Sequence, residues 1–402
     1  MFESLESLSA DPILGLMAAY RADGNPNKID LGIGVYKDPK GKTPVMAAVK
    51  EAETRLLATQ DSKSYVGPAG DSAYNEHIAR LVLGDPLCGQ LNDRRCTVQV
   101  PGGCGGLRVA AEFIMKANPQ ARIWVSDPTW PNHVPLLGTA GLRIETYPYY
   151  DYDNHVIRFE EMLTTLATAG SNDLVLLHGC CHNPCGADLT PEQWQAVRDL
   201  ALEKGFTVFV DLAYQGLGDG LEEDVYGVRL LADSLPELIV VSSCSKNFGL
   251  YRERVGALTV ICQSPDQQAA ISSQLASIAR GIYSMPPDHG AAIVRIILED
   301  PDLRTNWDRE LTEMRDRING LRATLASRLE AAGANRSFDF IQNEKGMFSF
   351  LGISVTQVQQ LIEDYSIYLV NSSRVNVAGI NESNIDYLVD SLVTVLGPGE
   401  AN

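Results

Sequence analysis

The sequence predicts an α/β fold: a large domain built on a mostly parallel sheet flanked by helices, plus a smaller α+β domain. Three observations predict it. Between about residues 96 and 262, short apolar runs alternate with helical patterns, as in a parallel sheet covered on both faces. A long amphipathic pattern then begins after Pro301, and beyond it short strand-like and helical stretches alternate.

In the first region, strands are expected at Arg122–Ser126, Asp173–His178, Phe206–Asp211, Leu238–Ser242 and Val255–Ile261. Leu107, Ala110, Ala111, Ile114 and Met115 recur at helical spacing and give one apolar face. Ligands of such sheets sit beyond the carboxyl ends of the strands. After Pro301, Trp307, Leu311, Met314, Ile318, Leu321 and Leu325 recur every three or four residues, which reads as a long helix bridging two domains. The remainder reads as strands at Met347–Phe350, Tyr368–Val370 and Val375–Val377, with helices near 355–364 and 382–396. The expected division is an N-terminal arm over 1–14, a small α+β domain over 15–42 and 311–402, and a large domain over 43–310.

With 402 residues, 45% of them hydrophobic, the chain can bury two cores. Lys and Arg total 33 against 51 Asp and Glu, a net charge of −18. That field repels phosphate backbones and anionic membrane surfaces, so neither nucleic acid nor membrane is expected as a partner. An anionic substrate would need local arginines. The eight cysteines are scattered rather than arranged as a framework, which fits a reducing cytoplasmic setting. The N-terminal stretch is acidic and its apolar run is short, unlike a signal peptide or an anchor.

The chemistry concentrates at strand ends. LIVVS runs into Ser243-Cys244-Ser245-Lys246-Asn247, so one lysine follows three small side chains. Removed from water, such a lysine sheds its proton and becomes a carbonyl nucleophile; on an exposed loop it would be an ordinary surface cation. Asp211 ends another apolar run and is followed by Leu-Ala-Tyr214. An ionised, buried Asp would keep a nitrogen heterocycle protonated; the alternative is an Asp capping the next element. The run from Gln99 to Gly106, QVPGGCGG, opens the helix near Leu107. Glycines at a helix N-terminus suit a single phosphate, and the dinucleotide pattern G-x-G-x-x-G is not spelled there.

HGCCHNPC at 178–185 crowds soft and imidazole ligands, but no second Cys/His pair stands at zinc spacing. The reading adopted is a strand end and an Asn-Pro turn with Asn183 aimed into a cleft, and no metal. Arg374 lies among apolar strand residues and requires an anion, either a substrate carboxylate or a structural one. Arg280 precedes Gly281-Ile282-Tyr283-Ser284-Met285.

Together these segments resemble the class I aminotransferases of fold type I, the pyridoxal-phosphate (PLP) transferase fold, in the aspartate and aromatic amino acid subgroup. The likeness runs from Asp11-Pro12-Ile13-Leu14 to RVNVAG at 374–379, through LGIGVYKD at 31–38, WPNH at 130–133, HGCCHNP at 178–184 and SKNFGLYRERVG at 245–256. It implies a seven-stranded sheet, pyridoxal 5′-phosphate as cofactor and a homodimer with shared active sites. It also implies that Lys246 bonds the cofactor, that Asp211 pairs with its ring nitrogen, and that Tyr214 and Asn183 contact its phenolate oxygen. Gly102, Gly103, Cys104, Ser243, Ser245 and Arg254 would surround the phosphate, with Tyr65 reaching in from a second subunit. Trp130 would stack on the ring and His133 would support Asp211. Arg374 would grip the substrate α-carboxylate with Asn183 and the backbone of Gly34, and Arg280, from the second subunit, a side-chain carboxylate.

Departures touch detail. Cys104 and Cys185 stand where the family tends to carry Thr or Ser, and Met285 and Ile282 are less polar than in aspartate-preferring relatives. Val35, Lys37 and Thr43 look aspartate-like. The function implied is transamination between an aromatic or acidic L-amino acid (phenylalanine, tyrosine, aspartate) and 2-oxoglutarate, giving the oxo acid and glutamate. An aspartate-specific enzyme, a PLP lyase or decarboxylase of the same fold, a cofactor-binding regulatory module and a dehydrogenase are the rival readings.

Overall fold

A computed structural model describes residues 2–6 and 12–397, with side chains from Gly15 onward in the first helix. Of the expected arm over 1–14, residue 1 and residues 7–11, Asp11 among them, lie outside the described residues. The chain forms two compact units, one of Met1–Thr43 with Arg317–Asn402 and one of Pro44–Asp316. In chain order the strands are β1 (Ile29–Asp30), β2 (Arg95–Pro101), β3 (Arg122–Asp127), β4 (Arg143–Pro148), β5 (Tyr150–Asp151), β6 (Val156–Ile157) and β7 (Asp173–His178). There follow β8 (Thr207–Leu212), β9 (Leu238–Ser243), β10 (Val255–Ile261), β11 (Phe348–Phe350), β12 (Ile367–Tyr368) and β13 (Arg374–Asn376).

The 44–316 unit holds a seven-stranded sheet in the order β2-β10-β9-β8-β7-β3-β4. All neighbours are parallel except β10, which runs antiparallel to both β9 and β2. The chain makes that exception because β9 and β10 are joined only by Cys244–Arg254, too short for the crossover a parallel pair requires. The five strands read from apolar runs are present, and β2 and β4 complete the seven that the resemblance implies. β4 is an edge strand whose residues are mostly exposed or half-buried, so it lacks the apolar run that marked the others. Val100, Leu107, Ala110, Ile123, Val125, Phe209, Val241 and Leu258 belong to one core cluster between the sheet and the helix Gly102–Ala117.

Register brings the chemistry to one edge. His178 pairs with Asp211, Leu212 with Ser242, Gly256 with Ser243 and Val255 with Pro101. The carboxyl ends of four strands thus lie side by side around the start of the Gly102–Ala117 helix.

In the other unit, β1 pairs parallel with β12 and β11 antiparallel with β13. The helices Val355–Tyr365 and Ile385–Leu396 cover a core of Leu361, Ile367, Val375, Val377, Leu388 and Leu392. The first is started by a capping box of Ser354 and Gln357. The helix after Pro301 runs to Ala331, so its residues fall in both units. It delivers Arg322, 1% exposed, whose guanidinium donates to the carbonyls of Ile341, Lys345, Gly346 and Phe348 and to Ser349 Oγ. Glu344 stands 3.8 Å away. The segment entering β11 is tied down by this one side chain.

Candidate active site

Lys246 follows β9 in the turn Ser243–Asn247. Its amine lies 4.7 Å over the Tyr214 ring. Burial holds its pKa below that of an ordinary lysine, against the pull of Asp211 and Cys104, and Arg254 adds in the same direction as burial. Removal from water disfavours the ammonium, which is what a nucleophilic amine requires.

Asp211, 8% exposed at the end of β8, shows the opposite balance. Burial alone would raise its carboxyl, but the His133 hydrogen bond first, and then the electrostatic influence of His133, His178 and Lys246, outweigh it and hold the pKa below the usual carboxylate value. His133 Nε2 stands 3.0 Å from Asp211 Oδ2. Behind it, Thr129 Oγ1 bridges His133 Nδ1 at 2.8 Å and His178 Nε2 at 3.2 Å, and the Asn183 N–H points at His178 Nδ1 at 3.5 Å. One proton arrangement satisfies the chain, because a backbone N–H can only donate. His178, kept neutral by burial and by His182 and His133 beside it, accepts at Nδ1 and donates from Nε2 to Thr129. Thr129 donates to His133 Nδ1, and His133 Nε2–H is left for Asp211.

A second cluster suits an anion. The helix Gly102–Ala117 starts without a side-chain cap, so its first amides are open to a ligand. Ser243 Oγ donates to Ser245 Oγ at 3.1 Å, and Arg254 Nη1 lies 3.4 Å from Ser245 Oγ. Arg254 holds φ at +54°, and a Cβ at Gly102, itself at φ +69°, would stand 2.5 Å from its guanidinium. Only glycine leaves room there for a cation at the helix start. Amides, two hydroxyls and a guanidinium fit a phosphate; with the depressed lysine and ionised Asp211 they fit the whole of pyridoxal phosphate.

Gly103 faces Ser243, where an added Cβ would stand 3.5 Å from the serine Cβ. Asn132 Nδ2 donates to Cys104 Sγ over 3.9 Å. Trp130 meets His133 edge-on at 5.2 Å, and Asn183 Nδ2 lies 3.5 Å from Tyr214 Oη. Lys246, Asp211, Tyr214, Asn183, His133, Trp130, Ser243, Ser245, Arg254, Gly102, Gly103 and Cys104 are therefore gathered at one sheet edge. Tyr65, 89% exposed, and Arg280, exposed in the last turn of the helix Pro265–Ile282, have no hydrogen bond to that cluster among the described residues.

The other unit places Arg374 and Gly34 near one aromatic ring. Arg374 Nη2 donates to Gly32 O at 2.8 Å and its guanidinium lies 4.4 Å over Phe348. A Cβ at Gly34 would stand 2.9 Å from the same ring. Asn376 Nδ2 donates to Ile33 O and Val35 O, and Lys37 Nζ reaches Asp30 Oδ2 at 2.8 Å. This loop is fixed from β13.

The sequence offers no signal for Thr129, and marks His178 only as the strand end of HGCCHNPC, because the link between them joins residues 49 apart. Cys180, Cys181 and Asp224 bring potential ligand atoms within 4.8 Å. Asp224, however, already accepts the amides of Gly216, Gly218, Asp219 and Gly220, which explains its place as the closure of that loop. No described helix is long and apolar enough to cross a membrane.

Residues 26–392 match the family described as aminotransferase class I and II. The chain is 48% identical over 397 residues to the aspartate aminotransferase of Salmonella typhi, covering 98% of this chain and 100% of that protein. It is 45% identical to the aromatic-amino-acid aminotransferase of Pseudomonas aeruginosa, covering 98% of each. The crystal structure of the aromatic-amino-acid aminotransferase from Burkholderia pseudomallei, covalently bound to pyridoxal phosphate, superposes with a TM-score of 0.96 at 42% identity, over 99% of this chain and 100% of that one. A fold-type I sheet, a lysine whose pKa burial lowers and full-length likeness to these enzymes have one reading: the chain belongs to the class I and II aminotransferases.

Proposed function

We propose that this aminotransferase uses pyridoxal phosphate to move an amino group between an acidic or aromatic L-amino acid and 2-oxoglutarate. The observation that carries the reading is the pairing, at one sheet edge, of a lysine whose ammonium is disfavoured with a carboxylate kept ionised. When bound, the cofactor supplies an aldehyde for amine exchange and a protonated ring that takes up electrons released at the substrate Cα. Lys246 would bond the cofactor, and its Nζ, when free, would take the proton from the substrate Cα and later return one. Asp211, oriented by His133, keeps the ring nitrogen protonated. Tyr214 and Asn183 hold the phenolate oxygen, and Trp130 covers the ring. Gly102, Gly103, Cys104, Ser243, Ser245 and Arg254 hold the phosphate.

Arg374 binds the substrate α-carboxylate, helped by Asn183 and the backbone of Gly34. A guanidinium suits that task because it stays charged when buried and presents paired donors. A homodimer completes the site, Tyr65 and Arg280 coming from the partner subunit; the 89% exposure of Tyr65 and the 86% exposure of Leu57 support a surface that a second copy covers. The cytoplasm is the proposed location, in keeping with eight free cysteines. The names of the relatives support both donor classes, since they include aspartate, aromatic-amino-acid and tyrosine aminotransferases.

The test is a panel of amino donors mixed with protein loaded with pyridoxal phosphate, with oxo acid and glutamate measured after adding 2-oxoglutarate. Stoichiometric exchange is expected, and Lys246→Ala abolishes it; carbon dioxide or an eliminated fragment in place of glutamate rejects transamination. Arg280→Asp should weaken aspartate far more than phenylalanine, and equal losses reject its proposed contact.

A further inference from the structure

The turn between β7 and the helix Pro191–Lys204 carries Asn183, and its backbone hangs on a carboxylate that has no part in the proposed chemistry. Asp188 accepts the Cys181 N–H on Oδ2 at 2.6 Å and the His182 N–H on Oδ1 at 2.8 Å. Cys181 needs such a hold, because its φ of +50° is a left-handed conformation that residues with a side chain avoid. The rest of the turn is equally tied. Cys185 Sγ and His182 Nδ1 lie 3.1 Å apart, His182 Nε2 meets Ser126 Oγ at 3.0 Å, and the Gly186 N–H donates to His182 O at 2.7 Å. Asn183 follows directly, with its N–H toward His178 and its side-chain amide toward Tyr214.

We propose that Asp188 is a positioning residue: its carboxylate fixes the backbone of Cys181 and His182 and thereby aims Asn183 at the cofactor and substrate. The inference rests on the proposed contact of Asn183 with those groups. Two neighbouring amide donors, one on each oxygen, are satisfied only by a carboxylate. An amide side chain would turn its own NH2 toward one of them. Charge-assisted bonds of this kind are short and about twice as strong as neutral ones.

The device is sensitive to acid. Burial pushes the Asp188 carboxyl up to about 6, against the two amide bonds, and Asp224 and Asp219 add to the rise. The other titratable neighbours are Tyr149 and Cys180, which sense its charge, the Cys185 thiol, and His182, which burial holds down at about 3 and therefore neutral. Protonation below about pH 6 puts a hydroxyl where one amide needs an acceptor, and the turn loosens.

The experiment uses full-length protein loaded with pyridoxal phosphate in four forms: wild type, D188N, N183A and the double variant. The readouts are the pH midpoint of the bound cofactor's visible absorbance and the split of kcat and KM for an amino donor. D188N is expected to move the midpoint in the same direction as N183A and to lower kcat/KM roughly ten- to hundredfold. The double variant should lose no more than N183A alone, the non-additivity of residues acting through one another. Independent, additive losses, or a D188N midpoint that stays at the wild-type value while that of N183A moves, overturn the positioning role. A midpoint unmoved by N183A overturns the Asn183 contact itself, and the inference falls with it by a separable result. If D188N does not fold, amide exchange on the wild-type chain without cofactor decides. Corrected for intrinsic rates, protection at Cys181 and His182 should fall as pH drops through about 6, and protection that stays level overturns the proposal.

Discussion

Lys246 in the 44–316 unit and Arg322 in the other unit are both inward-facing cations, yet their surroundings treat charge in opposite ways. Arg322 is 1% exposed and meets four carbonyls, a hydroxyl and a nearby carboxylate. Every direction in which its guanidinium can donate is supplied, and guanidinium does not give up its proton in a protein. Lys246 has a ring face below it, and burial works against its charge. A cation kept for structure is thus surrounded by acceptors. Lys246, among the described residues, is left short of them, and burial disfavours its proton.

Four measurements would break or sharpen that contrast. The largest effect is expected for Asp211→Ala, which removes the carboxylate whose charge Lys246 feels: turnover should fall by about 10³-fold or more, in line with deleting a preorganised charge at a reacting centre. Steady-state rates with a saturating donor check it. A loss below about tenfold would mean that Asp211 serves packing instead.

Arg322→Met tests the structural cation. Removing the guanidinium beside buried Glu344, and leaving several carbonyls without a donor, should destabilise the chain by about 3–5 kcal/mol. Denaturant unfolding reads that loss directly. If the variant is as stable as the parent, the carbonyl cluster does not hold the segment before β11.

Replacing the lysine tests the other side, through proton linkage. A lysine whose folded pKa lies below its unfolded one lets the unfolded chain hold more protons over the interval between them, so its contribution to stability rises with pH across that window. Lys246→Met in cofactor-free protein should remove the slope and leave the chain more stable than wild type near neutral pH. Melting curves across pH check the sign, and a less stable variant would mean that the amine is well accommodated as an ammonium.

The smallest effect is expected at Cys104, where a hydroxyl would replace a weak thiol donor with one stronger hydrogen bond to the phosphate. Cys104→Thr should tighten pyridoxal phosphate by about two- to tenfold, measured by cofactor dissociation on dialysis.

Much of the site was legible because its parts are local. Lys246 follows a strand and three small residues, Asp211 ends an apolar run, and the glycines of QVPGGCGG open an amphipathic helix. Each combines a strand or helix boundary with a residue that does not belong in a core. β4 was not legible, because an edge strand with mostly exposed or half-buried residues carries no apolar signature. Arg322 was not, because one buried arginine is hidden among the many charged positions of a long helix. Asp188 stood in plain sight four residues after an Asn-Pro pair; only the fold shows that it grips the backbone behind it.

By itself, the sequence determined the α/β pattern, the amine, the carboxylate and the glycine-rich helix start, because periodicity and strand ends are short-range properties. The tertiary structure decided what those groups experience. The link from His133 to Asp211 joins residues 78 apart, and the depressed lysine depends on burial that no local window contains. Charge states follow from the three-dimensional balance of desolvation against hydrogen bonds, and that balance exists only once the strands lie side by side.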